Sequence, residues 1–129
     1  MLKIQKYKLS RRLVLLAGIL TLALPQLATA QSWPTKPIKL VIPFAAGGTT
    51  DILGRLLAQQ LTKDLGQNVI VDNKPGAGGN IAHAYTANAT PDGSVILFGS
   101  IGPLSIAPHL MKLPYDPQKD LAPLTMGVT

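Results

Sequence analysis

The sequence predicts an α/β fold built on a largely parallel sheet. Short β-branched segments bounded by prolines and glycines alternate along the chain with segments whose apolar residues recur at helical spacing. Strands that alternate with helices pair in parallel, through right-handed crossovers that place the helices on the faces of the sheet. The loops that follow such strands gather at one edge of the sheet, which is where ligands bind.

The first thirty residues are predicted to be a secretory signal peptide rather than part of this fold. Basic residues precede an apolar core over 13–24, which is too short to cross ~30 Å of hydrocarbon as a helix. Small residues follow the core, so we expect cleavage between Ala30 and Gln31 and release into the periplasm. The apolar core favours the general secretory route over the twin-arginine route, and a retained membrane anchor is the alternative.

Composition excludes several classes of function for residues 31–129. Seven lysines and arginines face six aspartates there, and aromatic residues are few, so nothing indicates nucleic-acid binding. Cysteine is absent, which suits a periplasmic domain that is held together by its core. His83 and His109 lie far apart in sequence with no neighbouring ligand residues, and we predict neither a metal nor a cofactor.

The first strand and the first helix carry the clearest signals. Residues 38–43 (IKLVIP) predict a strand that is bounded by prolines. Over 49–65, isoleucine and leucine follow i, i+3, i+4 spacing and predict a helix. Either of its first two threonines is expected to cap it, Asp51 suits its positive first turn, and Gly66 is expected to end it.

The remaining elements continue the same alternation, and Trp33 is expected to anchor the segment before the first strand. In order, we predict a strand over 68–72, a glycine-rich loop over 73–80, an alanine-rich helix ending at Ala89, a strand over 94–99, a short helix over 104–111 and the beginning of a further strand over 124–128.

The first glycine loop predicts an anion site at a helix N-terminus. Its sequence, GGTTD at 47–51, lets the backbone approach a ligand closely, and the free N–H groups of the helix favour negative charge. A carboxylate is favoured over a phosphate, because no lysine follows Gly48 and Asp51 would repel a doubly charged anion. The alternative is an ordinary tight turn in which Asp51 stabilises the helix, and both interpretations remain open at this point.

The second glycine loop, GAGGN at 76–80, is not a dinucleotide fingerprint. Ile81 occupies the position that needs a small residue, and no acidic residue ends the third strand. We therefore expect the backbone amides of this loop, together with Asn80, to face the first glycine loop across the strand ends. The alternative is a flexible turn that precedes a helix.

Catalysis has little support in the sequence. There is no cysteine, no glutamate and no serine in a nucleophile elbow, and the aspartates are scattered. His83 stands alone as a candidate base, without a residue nearby in sequence to orient it. We therefore predict binding without turnover. One alternative is a small exported α/β enzyme that acts on an anion through His83 or Asp51, and another is a non-functional remnant.

Several motifs together resemble a known receptor family. Residues 33–44 read WPTKPIKLVIPF, 45–51 read AAGGTTD, 71–80 read VDNKPGAGGN, 89–97 read ATPDGSVIL and 113–123 read LPYDPQKDLAP. In this order, behind a signal peptide, they resemble the extracytoplasmic solute receptors of tripartite tricarboxylate transporters, the Bug receptors.

The resemblance implies a periplasmic-binding-protein-like fold of type II, in which two lobes close on a ligand. Residues 31–129 would be the N-terminal part of the first lobe, with its sheet incomplete and the second lobe missing. The implied function is capture of a small carboxylate by a monomer, and its delivery to the membrane permease subunits of the transporter.

The resemblance also implies where the carboxylate binds, largely through backbone amides and ordered water. Asp51 and the loop around Ser100 are expected to discriminate between ligands. The full set of predicted ligand-binding residues is Phe44, Ala46, Gly47, Gly48, Thr49, Thr50, Asp51, Gly76, Ala77, Gly78, Gly79, Asn80 and Ser100.

Overall fold

The computed structural model describes residues 33–127. The predicted signal peptide, its cleavage site between Ala30 and Gln31, and the end of the last predicted strand lie outside the described residues. Within the described part of the chain, no helix combines the length and the apolar character needed to cross a membrane.

Strands and helices alternate along the described chain, which confirms the predicted α/β class. The helix that begins at Thr49 matches its predicted bounds, and Gly66 ends it in the left-handed conformation at φ +64°. The elements are β1 (Ile38–Ile42), α1 (Thr49–Leu65), β2 (Val69–Asn73), a 3-10 turn (Ala77–Gly79), α2 (Asn80–Ala87), β3 (Val95–Leu97), a π-helical turn (Gly102–Ile106) and α3 (Ala107–Leu110).

The three strands form a parallel sheet in the order β2-β1-β3. Ile42 at the end of β1 is aligned with Asn73 at the end of β2, and Val41 is aligned with Leu97 at the end of β3. All three strands therefore end at the same edge, and the loops that follow them emerge side by side.

The central strand supplies most of the core. Leu40, Val41 and Ile42 have no exposed surface. Helix α1 packs closely on one face because Gly54 has no side chain at its contact with Ile42. Helix α2 covers the other face, where the ammonium of Lys39 donates a hydrogen bond to the hydroxyl of Tyr85 at 2.9 Å.

The predicted threonine cap of α1 is wrong. The N-cap is Gly48, which has an extended conformation and makes no side-chain capping bond. Instead the carboxylate of Asp51, in the third helical position, reaches back and accepts a hydrogen bond from the N–H of Gly47 at 2.9 Å. The acidic side chain thus replaces the threonine hydroxyl in fixing the entry to the helix.

Two predictions near the end of the described chain also need correction. The expected helix over 104–111 begins earlier, as the π-helical turn, and becomes an α-helix only at Ala107. Prolines at 103 and 108 remove N–H donors from this segment, which explains its irregular path. Residues 124–127 are not part of the sheet, and Leu124 and Met126 are exposed there.

Candidate functional site

Three loops meet at the carboxyl edge of the sheet. Loop 1 comprises residues 43–48, loop 2 comprises 74–79 and loop 3 comprises 98–101. The N–H of Lys74 donates to the carbonyl of Ile42 at 2.8 Å, and the N–H of Phe98 donates to that of Val41 at 2.9 Å. These bonds continue the strand ladders, so loops 2 and 3 leave the sheet on either side of loop 1.

Gly79 is the point at which the three loops touch. It is buried with φ +98°, a left-handed conformation that glycine adopts without strain. A Cβ placed there would lie 3.1 Å from Pro103, 3.3 Å from Pro43 and 3.6 Å from the hydroxyl of Ser100. Only a glycine lets loop 2 approach the other two loops this closely.

Loop 1 is held by a network centred on Asp51. One carboxylate oxygen accepts hydrogen bonds from the N–H of Gly47 and from the Nε of Arg55, both at 2.9 Å. The other oxygen accepts from the side-chain amide of Asn73 at 3.0 Å, and the same amide donates to the carbonyl of Phe44 at 3.0 Å. The end of β2 and the start of α1 thereby fix both ends of loop 1.

This network determines the charge and the accessibility of Asp51. Hydrogen bonds from Arg55, from the Gly47 N–H and from Asn73 lower the pKa of Asp51 to about 2, although burial opposes the shift. The residue is only 3% exposed and both of its oxygens are used. Asp51 is therefore placed to organise loop 1, whereas its predicted direct contact with a ligand stays a prediction.

Loop 2 has an unusual backbone, in which the N–H of Gly79 donates to the carbonyl of Gly76 at 2.9 Å. Four consecutive residues have positive φ: Gly76 at +126°, Ala77 at +48°, Gly78 at +63° and Gly79 at +98°. The amide of Asn80 does not face outward freely, because it donates to the carbonyl of Ala77 at 2.9 Å and accepts from the hydroxyl of Tyr115 at 2.8 Å. The side chain of Asn80 thus braces the loop from within.

His83 lies beneath loops 2 and 3 and is not placed to act as a base on an outside substrate. It has no exposed surface, and burial lowers its pKa despite an opposing hydrogen bond to Gly79. One ring nitrogen lies 2.9 Å from the carbonyl of Gly79, and the other accepts from the N–H of Ser100 at 3.4 Å. Within residues 33–127, no three potential metal-ligating side chains converge.

The structure brings the predicted ligand-binding residues to one edge but gives them different exposures. By helix geometry, the N–H groups of the first turn of α1 have no acceptor within the helix. Phe44, Ala46, Gly47, Gly48, Thr49, Gly76, Ala77 and Gly78 are exposed, Thr50, Asn80 and Ser100 are partly exposed, and Asp51 and Gly79 are buried. Most of the exposed residues in this set therefore belong to loops 1 and 2.

Sequence reasoning missed the side chains that hold these loops together. Asn73 had a detectable signal, since it is a polar residue at the carboxyl end of a strand. Arg55 follows Asp51 at i+4, which also indicates an ion pair on a helix. Tyr115 gave no usable local signal, because its hydroxyl reaches a residue 35 positions earlier in the chain.

Comparison with known protein families shows to which family the chain belongs. A family model described as "Tripartite tricarboxylate transporter family receptor" matches residues 53–129. The chain belongs to this family. It is a family of solute-binding receptors rather than of enzymes, and the match confirms the resemblance inferred from the sequence motifs.

Proteins from two species of Bordetella are similar in sequence to this chain. A UPF0065 protein from Bordetella bronchiseptica is 45% identical over 117 residues, which cover 90% of this chain and 35% of the relative. BugT from Bordetella pertussis is 39% identical over 119 residues, which cover 89% of this chain and 36% of BugT. The chain thus spans about a third of the length of these relatives.

Solved structures support the same fold. MatC from Rhodopseudomonas palustris with bound malate is 40% identical and superposes with a TM-score of 0.64, over 68% of this chain and 30% of MatC. A structure described as a periplasmic transporter is 41% identical, with a TM-score of 0.62 over 66% of this chain and 29% of its own. R. palustris Rpa4515 with adipate is 46% identical, with a TM-score of 0.53 over 54% of this chain and 23% of its own.

Proposed function

We propose that this protein is a periplasmic receptor that captures a small carboxylate at loops 1 and 2 and delivers it to a tripartite tricarboxylate transporter. The observation that carries the proposal is the meeting of the two loops at the carboxyl edge of the sheet, beside the N-terminus of α1. Exposed backbone N–H groups at such an edge favour an anion.

The relatives support a carboxylate as that anion. MatC holds malate and Rpa4515 holds adipate, and each of these two ligands is a dicarboxylate. In this chain the buried carboxylate of Asp51 is paired with Arg55, so its charge is largely compensated before a ligand arrives. A ligand carboxylate then meets the positive end of the α1 dipole without strong repulsion from Asp51.

Calorimetric titration with malate, succinate and adipate tests this proposal, and adipamide serves as the uncharged control ligand. Thr49→Asp adds a negative charge to the exposed first turn of α1, which should weaken carboxylate binding roughly tenfold or more. The same change stabilises the helix start, so weaker binding would not reflect unfolding. The matched control Gln59→Asp adds its charge to an exposed position farther along α1.

Two results would contradict the proposal. Equal binding of adipate and adipamide would exclude recognition of the carboxylates. Undiminished carboxylate affinity in Thr49→Asp would place the ligand away from the start of α1.

The proposal includes export and domain organisation. Residues 1–30 serve as the signal peptide, and residues 31–129 form the N-terminal part of the first lobe of a two-lobed receptor. The intact mass of the protein from the periplasm of its native cells tests the first part, since cleavage after Ala30 leaves Gln31 at the N-terminus. A mass that retains residues 1–30 would instead indicate an N-terminal anchor.

The proposed partners are the membrane permease subunits of the transporter, which the receptor approaches as a monomer. The near balance of charge over residues 31–129 supports neither a nucleic acid nor a strongly acidic partner. Co-purification of the permease with the ligand-loaded receptor tests the partnership, and light scattering of the free receptor tests the monomer.

A further inference from the structure

His83 joins two loops that are far apart in sequence. Its Nδ1 lies 2.9 Å from the carbonyl oxygen of Gly79, at the end of loop 2. Its Nε2 lies 3.4 Å from the backbone nitrogen of Ser100, in loop 3. The imidazole thus spans the gap between the second and the third strand ends.

These contacts fix the tautomer of His83. The N–H of Ser100 is a donor, so Nε2 must accept through its lone pair. The proton of the neutral ring is then on Nδ1, which donates to the carbonyl of Gly79. Complete burial disfavours a second proton, since it would leave a charged ring without water. A proton on Nε2 would also point at the N–H of Ser100, which is a donor and not an acceptor.

The ring of a tyrosine also restricts the orientation of the imidazole. The ring of Tyr115 stacks on it, with centroids 6.3 Å apart and planes inclined by 27°. Tyr115 is 7% exposed, and its hydroxyl donates to Asn80 at 2.8 Å. The imidazole is therefore held by α2, by both loops and by the buried tyrosine.

We propose that His83 is a positioning residue that sets the separation of loop 2 from loop 3 and thereby the direction of the loop 2 N–H groups at the ligand-binding edge. The proposal rests on the carboxylate site proposed above. His83 does not touch the ligand in this arrangement, since the residue has no exposed surface. It acts through Gly79, whose buried position brings the three loops together.

Two conservative variants separate the two bonds of the imidazole. In His83→Asn, the side-chain amide lies near the position of Nδ1 and still donates to Gly79, but it does not reach Ser100. In His83→Gln, the longer side chain places an acceptor near the position of Nε2 for the Ser100 N–H. His109→Gln is the control, because it makes the same chemical change at an exposed histidine.

The test compares adipate and malate affinity by calorimetry, and follows the Ser100 amide by NMR in the ligand-free protein. We expect His83→Asn to weaken binding roughly tenfold, because the loop arrangement that the ligand needs is then adopted by only a fraction of the free protein. We expect a comparable loss in His83→Gln, which keeps the bond to Ser100 but gives up the bond to Gly79, and no change in His109→Gln. The Ser100 amide resonance should move upfield in His83→Asn and move much less in His83→Gln.

The outcomes separate failure of this inference from failure of the carboxylate site. Unchanged affinity in both His83→Asn and His83→Gln, or an unchanged Ser100 resonance in His83→Asn, would overturn the positioning role. Absence of carboxylate binding in the wild-type protein would overturn the proposed function, and the Ser100 resonance would still decide whether His83 bridges the loops. Both variants keep a polar side chain of similar size, and a melting curve for each establishes that it is folded.

Discussion

The two edges of the sheet are held together in different ways. At the carboxyl edge, Asp51 and His83 are buried and each connects two or more backbone segments. At the amino edge, the ammonium of Lys36 bonds the carboxylate of Asp92 at 2.7 Å, but their side chains are 57% and 37% exposed. Buried polar groups are costly to leave unpaired, whereas exposed ion pairs are largely screened by water.

This difference indicates which edge of the sheet has to hold its loops rigidly. The amino edge only has to attach the segment before β1, and the indole of Trp33 does so by donating to the carbonyl of Asp92 at 3.0 Å. Under the proposed function, the carboxyl edge has to present backbone N–H groups in a defined arrangement. A backbone site gains little from flexible side chains, so its precision depends on the groups behind the loops.

The largest expected effect at the carboxyl edge is that of Gly79→Ala. The substitution combines a positive φ with close contacts to three segments, so we expect a loss of about 3 kcal/mol or more in the free energy of unfolding. Gly78→Ala is the matched control, because Gly78 has φ +63° but nothing within 4 Å of an added Cβ. It should cost only about 1 to 2 kcal/mol.

Urea denaturation measures both glycine variants. The difference between them reports the packing of the three loops at Gly79, together with the greater backbone strain of a side chain at φ +98° than at φ +63°. Equal losses in the two variants would mean that the loops do not meet tightly at Gly79.

The next largest effect is expected for Asp51→Asn, which removes the charge that pairs with Arg55. The folded pKa of Asp51, about 2, is below its usual value of 3.8, so the carboxylate stabilises the fold fully above pH 3.8. This contribution is lost as the pH falls towards 2. Asp51→Asn should therefore have a lower melting temperature than the wild-type protein at neutral pH. As the pH falls from 3.8 towards 2, it should lose less stability than the wild-type protein does.

The control for Asp51 is Asp64→Asn on the same helix. Asp64 is exposed and accepts a hydrogen bond only from the neighbouring side chain of Gln60 among the described residues. Thermal melts at neutral and acid pH compare the variants. Identical behaviour of Asp51→Asn and Asp64→Asn would show that the Asp51 network does not stabilise loop 1.

The sequence predicted the elements better than the contacts between them. Periodicity located α1, and β-branched runs bounded by prolines and glycines located the three strands. The threonine cap was wrong because two groups competed for the same role, and the carboxylate of Asp51 reached the Gly47 N–H. Local pattern alone does not rank such competitors.

The candidate site was predicted as a set of loops and not as a network. Parallel topology brings the ends of β1, β2 and β3 to one edge, and this follows from the alternation of elements. The bridge from His83 to Ser100 depends on the tertiary packing of α2 against loop 3, which leaves no trace in residue spacing. The same holds for Tyr115, which was part of a recognised motif but had no assigned role.

A smaller, pH-dependent effect is expected for His83. Burial lowers its folded pKa below the usual 6.5, so the neutral ring makes its full contribution to stability above pH 6.5, where it is neutral in both states. Below pH 6.5 the unfolded chain takes up a proton that the folded ring does not, and stability falls. Tyr115, which faces the imidazole, is neutral in this range, since the ordinary pKa of its phenol lies well above it and burial raises that pKa further.

His83→Gln should remove that part of the pH dependence. Urea denaturation at about pH 7.5 and about pH 5.5 measures it, with His109→Gln as the exposed control. A slope that persists unchanged in His83→Gln would assign the titration to another group.

The smallest effect is expected at the amino edge, for Lys36→Ala. The ion pair with Asp92 is short but largely solvated, so its removal should shift the melting temperature only slightly, and less still in high salt. Asp92→Ala should cost more, because the same carboxylate also accepts the N–H of Ser94 and so holds the turn before β3. Fluorescence of Trp33, the single tryptophan, reports loosening of this edge directly. If Lys36→Ala destabilised the protein as much as Asp51→Asn, exposure would not be what distinguishes the two edges, and the amino edge would need a functional explanation of its own.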